Sequence, residues 1–493
     1  MRYQGLLLWP CGSSSCKSWR LRLEQTRRYS CSRSIHSSAQ PRNSEAEPSL
    51  NLVDHLMQRG IVKDITDPDA LTETLARGTK AATYCGADPT AKSLHVGNLV
   101  PLLAMLHFGI RGHEMIGLIG GATVDVGDPS GRDTERVKIE DEVKCTNEMA
   151  ISNQMQRLLQ NGIAYARSKG YNDIGPLRIV NNVTWWKDMS FLGFMGTVGR
   201  HLRVQEMLKR QSVQRRISSE AGIGFNEFTY QALQAYDFFH LHKTFGCNIQ
   251  FGGSDQYGNI ASGVDLTSRL QFAQNLPRIQ TFGVTTPLLT TATGEKLGKS
   301  AGNAVWLDPA LTSPFAFYQY FVRLPDVDVE KYLRILTLLP LNEIDKIVAK
   351  HNEDPSLRVG QHALAREVTD IVHGVGFGDK AYIQSRILYS PSLEGMRYSA
   401  IQIISAFEND SQLKAFHAAD ILEERLVKVI QKVASNRSMK SIRELVNSGG
   451  VYVGPKLTRV DDVQATIQPE WLLDGRLLII RLGKSDLQLI SLE

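Results

Sequence analysis

The sequence predicts an α/β protein in which a parallel sheet covered by helices is followed by a helical domain and then a small α+β domain. Three observations carry this. From residue 81 to about 290, short apolar runs such as 115–119 and 177–180 alternate with longer amphipathic stretches, the strand–helix–strand pattern of a parallel sheet. From 313 to about 390 the pattern turns helical, with breaks marked by Pro325, Pro340 and Pro355. Between 425 and 459 stand Arg425, Lys428, Lys432, Arg437, Lys440, Arg443, Lys456 and Arg459 against Glu444 alone, a local charge of +7 that sets off a basic terminal module.

Composition agrees with several packed domains: 493 residues, 42% hydrophobic and 22% charged, exclude disordered, collagen-like and coiled-coil chains. The net charge of +5 is unevenly held, because residues 1–44 carry Arg2, Lys17, Arg20, Arg22, Arg27, Arg28, Arg33 and Arg42 against Glu24, so the rest of the chain is −2. Nucleic acid must then be met by a local patch. The same 44 residues hold ten Ser and almost no acid, the composition of an organellar transit peptide, with mitochondria the expected address and the matrix the working compartment. Their apolar run at 6–9 is stopped by Pro10, too short for a secretory core of roughly 7 to 15 residues. Cys11, Cys16 and Cys31 lie in this leader, while Cys85, Cys145 and Cys247 are too scattered for a zinc knuckle, so neither metal site nor disulfide framework is expected. No later stretch approaches 18 apolar residues, and a soluble protein with no membrane contact is expected.

Leu52, Leu56 and Ile61 stand near helical spacing and predict a short helix leading into the first domain. The first chemical motif, Tyr84-Cys85-Gly86-Ala87-Asp88-Pro89-Thr90 followed by Ser93-Leu94-His95-Val96-Gly97-Asn98, falls where a first strand gives way to a first helix, the nucleotide end of a Rossmann-type sheet. His95 and Asn98, one helical turn apart at a helix N-terminus, suit a phosphate between them. Two hundred residues on, Lys296-Leu297-Gly298-Lys299-Ser300 places two cations in a loop that can fold over a pyrophosphate. Tyr230, Gln234 and Asp237 form a polar stripe at i, i+4, i+7 on one helix face; polar groups there need partners, and either a ligand or a satisfied core network supplies them.

The paired His95 and Lys299 motifs resemble the nucleotide signatures of class I aminoacyl-tRNA synthetases. Gly127-Asp128-Pro129-Ser130-Gly131, the stripe from Tyr230 to Asp237 and Gly252-Gly253-Ser254-Asp255-Gln256, with Tyr84, resemble the tyrosyl-tRNA synthetase family from about 52 to 372, and KLGKSAGNAVWL at 296–307 looks like its mitochondrial branch. The resemblance implies tyrosine activation by ATP and transfer to tRNA(Tyr). His95, Asn98, Lys296 and Lys299 would stabilise the reacting phosphates, with Mg2+ held mainly by those phosphates. Tyr84 and Asp237 would hold the phenolic hydroxyl of L-tyrosine, and Asp128, Tyr230 and Gln234 its ammonium. Cys85, Asp88, Gly253, Asp255, Gln256 and Lys299 would meet ATP or the adenylate, with Asp255 on the ribose and Gln256 near the carboxylate. Arg132 and Arg136 follow in a loop that closes over pyrophosphate in relatives. Asn98 stands where bacterial relatives commonly have His, and Asp125 puts an acid beside the phosphates, for which no catalytic role is assigned.

The resemblance also divides the chain into a transit peptide at 1–44, a Rossmann catalytic domain at 45–290, the KLGKS loop and linker at 291–307, a helical anticodon-binding domain at 308–415 and an S4-like tRNA-binding domain at 416–493. In the last, Arg437, Lys440 and Arg443 are expected on one helix facing tRNA, ahead of Gly449-Gly450 and a strand at 451–453. A homodimer is implied, and group I intron RNA is a further partner that some fungal mitochondrial members take. Two rivals are a tryptophan-specific enzyme of the same fold, which would not need Tyr84 and Asp237 around a hydroxyl, and an RNA-structure protein without catalysis.

Overall fold

The computed structural model describes residues 51–132, 134–290, 304–390, 393, 397–434, 436–483 and 486–493, and the backbone at 299–300 and 303. The leader and Lys296 lie outside these residues.

Six strands form the first sheet: β1 (Asp64–Ile65), β2 (Ala82–Ala87), β3 (Glu114–Ile119), β4 (Leu177–Asn181), β5 (Cys247–Gly253) and β6 (Phe282–Thr286), in the spatial order β1-β6-β5-β2-β3-β4. The strands β6-β5-β2-β3-β4 are parallel, and the expected sheet is departed from only at the edge, where β1 pairs antiparallel with β6. The direction in which successive strands are added reverses between β2 and β5, and ligands settle at such a switch point, beyond the C-terminal strand ends.

Side chains of β2 alternate between faces. Cys85 joins the core under helix α1 (Leu99–Gly109), which is buried almost all round, whereas Ala82 and Tyr84 join Phe238, Leu241 and Cys247 on the other face. There α3 (Phe225–Phe245) and α4 (Tyr257–Ala273) pack together, so Tyr84 and the polar stripe of α3 meet. Helix α2 (Asp141–Ser168) lies with α1. The early helix Leu52–Gln58 is present and ends before Ile61.

The helical unit follows the proline breaks: α5 (Pro314–Val322), α6 (Asp326–Leu336), α7 (Leu341–Glu353), α8 (Val359–His373) and α9 (Phe377–Tyr389), with Pro325 and Pro340 at helix caps and Pro355 opening a single 3-10 turn. One apolar core runs continuously from Val53 through these helices to Ala381, and Arg59, buried to 2% exposure, ties the early helix to the far end of α6 by donating to the Arg334 and Leu339 carbonyls at 2.9 and 2.7 Å.

The terminal sheet contains β9 (Leu413–Phe416), β10 (Val451–Val453), β11 (Thr458–Val460), β13 (Leu477–Leu482) and β14 (Asp486–Leu492) in the order β11-β10-β13-β14-β9, with β12 (Leu472–Leu473) beside β13; the short ladder β7 (Lys299–Ser300) with β8 (Asn303–Ala304) belongs to the linker. Alternation in β13 divides two cores: Leu478 and Ile480 pack under α11 (Leu426–Val433) and α12 (Met439–Asn447), while Leu477 and Ile479 pack under α10 (Ala400–Ala406). The expected boundary at 415/416 therefore cuts β9, which pairs with β14 through Leu413↔Leu489 to Phe416↔Leu492; the helix packed on this sheet, α10, already begins at Ala400. The single basic helix expected at 437–443 is two elements. Ser438 caps α12, leaving Arg437 in the preceding turn, where it pairs with Asp486 at 2.9 Å, and only Lys440 and Arg443 share the helix.

Candidate active site

A cavity of about 370 Å³ opens at the C-terminal ends of β2 and β5, and it collects Tyr84, Cys85, Asp88, His95, Asn98, Asp128, Arg132, Arg136, Tyr230, Gln234, Asp237, Gly253, Asp255 and Gln256. Residues drawn from segments 170 positions apart thus share one space. Lys296 lies outside the described residues, and of Lys299 only the backbone is described.

The closed end is built from buried side chains. Tyr84 is 1% exposed, and its hydroxyl has no hydrogen-bond partner among the described residues. Burial raises its pKa well above the usual value, with the nearby Asp237 carboxylate adding to the effect. Asp237, on α3, receives three donors: Trp185 Nε1 at 2.8 Å and Trp186 Nε1 at 2.7 Å on Oδ1, and Asn182 Nδ2 at 3.0 Å on Oδ2. Burial pushes its carboxyl up to about 7, and the three donors oppose that rise. With two donors on Oδ1 and one on Oδ2, the acceptor capacity left to the carboxylate is at Oδ2.

Asn182 extends this network, donating to Thr123 Oγ1 at 3.1 Å; Thr123 donates to Asp88 Oδ1 at 2.9 Å, and Tyr230 donates its hydroxyl to Asp88 Oδ2 at 2.8 Å. Burial lifts Asp88 to about 6 against these two hydrogen bonds. A side chain at Gly120 would place its Cβ 1.9 Å from Asp88 Oδ1, so the backbone must pass there bare. Beside this, Asp128 accepts from Gln256 Nε2 at 2.7 Å and from the Ser130 amide at 3.0 Å, and Asn259 Nδ2 lies 3.1 Å from Gln234 Oε1 and 3.3 Å from Asp128 Oδ1. Asn182, Trp185, Trp186, Thr123 and Asn259 complete this network from outside the sequence motifs. Their signal was available in part: Asn182-x-x-Trp185-Trp186 directly follows an apolar run, and Asn259 stands one turn beyond Gln256.

The open end is made of turns and cations. His95 caps a 3-10 turn, Val96–Asn98, from which α1 continues; the Gly97 amide donates to His95 Nδ1 and the His95 amide to Asn98 Oδ1, both at 3.0 Å. A neutral His95 ring therefore carries its proton on Nε2, and Asn98 retains its Nδ2 donor group. A Cβ at Gly97 would sit 2.8 Å from that ring. Arg136 Nε donates to the Asp128 carbonyl at 3.1 Å, while Arg132 is exposed. Asp125 is neutralised by an ion pair with Lys144. Cys85 lines the cavity with its thiol pushed by burial up to about 12, so it is a neutral wall.

Among known proteins, residues 76–390 match the family described as "tRNA synthetases class I (W and Y)". The mitochondrial tyrosine–tRNA ligase of Saccharomyces cerevisiae is 44% identical over 90% of this chain and 89% of its own length, and that of Drosophila melanogaster 37% identical over 90% and 93%. Among solved structures, a C-terminally truncated mitochondrial tyrosyl-tRNA synthetase of Aspergillus nidulans superposes with a TM-score of 0.64 at 37% identity, covering 69% of this chain and 94% of that one. The chain belongs to the class I tRNA synthetases, in the family of tyrosine–tRNA ligases.

Proposed function

We propose that this chain activates L-tyrosine with ATP and transfers it to the 3′ end of tRNA(Tyr) for translation in the mitochondrial matrix. The observation that carries this reading is the pairing, at the closed end of one cavity, of the Tyr84 hydroxyl, unpaired among the described residues, with the Asp237 carboxylate. An acceptor and a hydroxyl side by side fit a phenol, and a site that hydrogen-bonds a hydroxyl leaves buried groups unpaired when a ligand lacking it enters.

In the first half-reaction the tyrosine carboxylate oxygen attacks the α-phosphorus, a P–O bond forms, and the bond to pyrophosphate breaks. In the second, a ribose hydroxyl of the tRNA terminus attacks the tyrosyl carbonyl and AMP leaves. Asp128, Tyr230 and Gln234 orient the ammonium, Gln256 the carboxylate, and Asp255, Gly253, Asp88 and Cys85 border ATP. His95 Nε2–H and the Asn98 amide donate to phosphate oxygens as negative charge gathers on the departing pyrophosphate, with Lys296, Lys299, Arg132 and Arg136 as its counter-charges. Mg2+ would arrive with ATP, ligated mainly by phosphate oxygens.

A homodimer is supported by the segment from Phe191 to Phe225, which exposes Phe191, Leu192, Met195, Val204 and Phe225. For tRNA, the capped basic helix α12 with Lys440 and Arg443 supports backbone contact. Arg437, paired with Asp486, contributes less. Tyrosine-dependent ATP–pyrophosphate exchange is the test: exchange with tyrosine and none with tryptophan is expected, and absence of exchange with every amino acid overturns the reading. A chain ended near residue 396, before α10 and β9, is expected to keep exchange and lose tRNA charging; equal charging removes the terminal unit from tRNA binding.

A further inference from the structure

Helix α2 reaches the cavity with Ile151 and bonds to segments that border it. Asn147 donates to the Pro89 carbonyl at 3.2 Å, Glu148 accepts from Asn181 at 2.9 Å, and about two turns beyond Asn147 stands Gln154. Gln154 is 5% exposed, and both ends of its carboxamide are engaged. Oε1 accepts from Ser93 Oγ and from the Leu94 amide, each at 2.9 Å. Nε2 donates to the Lys92 carbonyl at 3.0 Å and lies 3.3 Å from Asp308 Oδ2, while the Asp308 amide returns to Ser93 Oγ at 3.2 Å.

These bonds close one end of a clasp. The His95 turn and segment 304–308 run side by side: the Val96 amide donates to the Val305 carbonyl at 3.0 Å, the Leu307 amide to the Leu94 carbonyl at 2.9 Å, and His95 bridges Trp306 antiparallel. Ala304, next in the chain, pairs with Lys299. The placement of His95 relative to the strand that carries Lys299 is thus fixed through this clasp. Among the described residues, Gln154 is a side chain from neither motif that bonds to both of its sides. Only a carboxamide presents an acceptor and a donor from one planar group at this reach; Glu lacks the donor and Leu lacks both.

We propose that Gln154 is a positioning residue for adenylate formation, holding the His95 turn and segment 304–308 in a single register so that both halves of the ATP site engage the phosphates together. This rests on the tyrosine-activating reading above. A group displaced by about 1 Å costs on the order of 100-fold in rate, so a register fixed by four hydrogen bonds is of kinetic consequence.

The test compares the full-length protein with Gln154→Glu and with the reversed pair Gln154→Glu/Asp308→Asn. Each is measured by tyrosine-dependent ATP–pyrophosphate exchange, normalised to active sites counted from a single-turnover adenylate burst. The normalisation removes any loss of folded protein. Gln154→Glu keeps the acceptor and sets a carboxylate oxygen against both Asp308 and the Lys92 carbonyl, of which the second substitution relieves the Asp308 contact; kcat/KM for ATP is expected to fall roughly 10- to 100-fold in the single variant while KM for tyrosine stays within about two-fold. In the pair, the new amide at 308 donates to the carboxylate, and its carbonyl oxygen still accepts from the Ala310 amide as Asp308 Oδ1 does. Recovery of at least about five-fold is expected, because the two changes are coupled. Unchanged ATP kinetics per active site, a parallel rise in KM for tyrosine, or no recovery in the pair overturns the proposal. If the wild type shows no exchange with tyrosine, it is the activity reading that fails. The register claim is then decided by calorimetric ATP binding: affinity lost in Gln154→Glu and regained in the pair upholds it, and equal affinity in all three overturns it.

Discussion

The two ends of the cavity are built by different means. At the closed end, Asp237, Asn182, Thr123 and Asp88 are buried or half-buried side chains that hold one another through hydrogen bonds of 2.9 to 3.1 Å, with Trp185 and Trp186 donating to Asp237 at 2.8 and 2.7 Å. At the open end, His95 and Asn98 are half-buried and fixed by their own backbone in a tight turn, and Arg132 stands in solvent. A ligand that must be told from its near twin needs a rigid, desolvated wall in which every missing hydrogen bond is costly. A triphosphate needs donors and charge that strengthen as the reaction proceeds, and part of that machinery must open to let pyrophosphate leave.

That contrast can be broken most forcefully at Asp237. Discrimination of about 10^5 against phenylalanine is an established property of tyrosine-specific synthetases, and Asp237→Ala is expected to erase most of it, measured as the ratio of exchange kcat/KM for the two amino acids. Unchanged selectivity would remove Asp237 from the recognition of the hydroxyl. At the opposite end, His95→Ala is expected to lower kcat of adenylate formation by roughly 100-fold, the scale of losing one donor to developing charge. KM for tyrosine should hardly move; a large rise would mean that the two ends are not separable.

A smaller effect sharpens the comparison through pH. The Asp237 carboxyl is held at about 7, far above its unfolded value of about 4. The folded chain therefore grips this proton more tightly, and the stability it confers at low pH is lost as pH rises from about 4 through about 7. Binding runs the other way, since the carboxylate is the better acceptor for a phenol: KM for tyrosine is expected to rise as pH falls below about 7. Trp186→Phe removes one of three donors and should move that midpoint upward, raising KM near neutrality by a few-fold, the scale of one hydrogen bond of about 1 kcal/mol. An ATP KM that follows the same profile would contradict the assignment of the titration to Asp237.

The sequence made the cavity legible where chemistry sits in short, spaced motifs. Tyr84, Asp88, His95, Asn98 and the α3 stripe come together because β2 and β5 are neighbours and α3 covers the Tyr84 face. What escaped notice are the supports. Asn182 and Trp186 lie more than 50 residues before Asp237 and reach it only once β4 has paired with β3. Gln154 stands 154 residues from Asp308 in one direction and about 60 from Leu94 in the other. Edges were hard for another reason: β1 has two residues and β9 four, too few for a period to declare itself, and the partner of β9 is the last strand of the chain. The cap at Ser438 was readable, and it would have separated Arg437 from α12.

A crystal structure with L-tyrosine bound bears most directly on the account. The phenolic oxygen is expected within hydrogen-bond distance of both the Tyr84 hydroxyl and Asp237 Oδ2, with the ammonium beside Asp128. Tyrosine seated with its hydroxyl in solvent, or reaching neither Tyr84 nor Asp237, would contradict it.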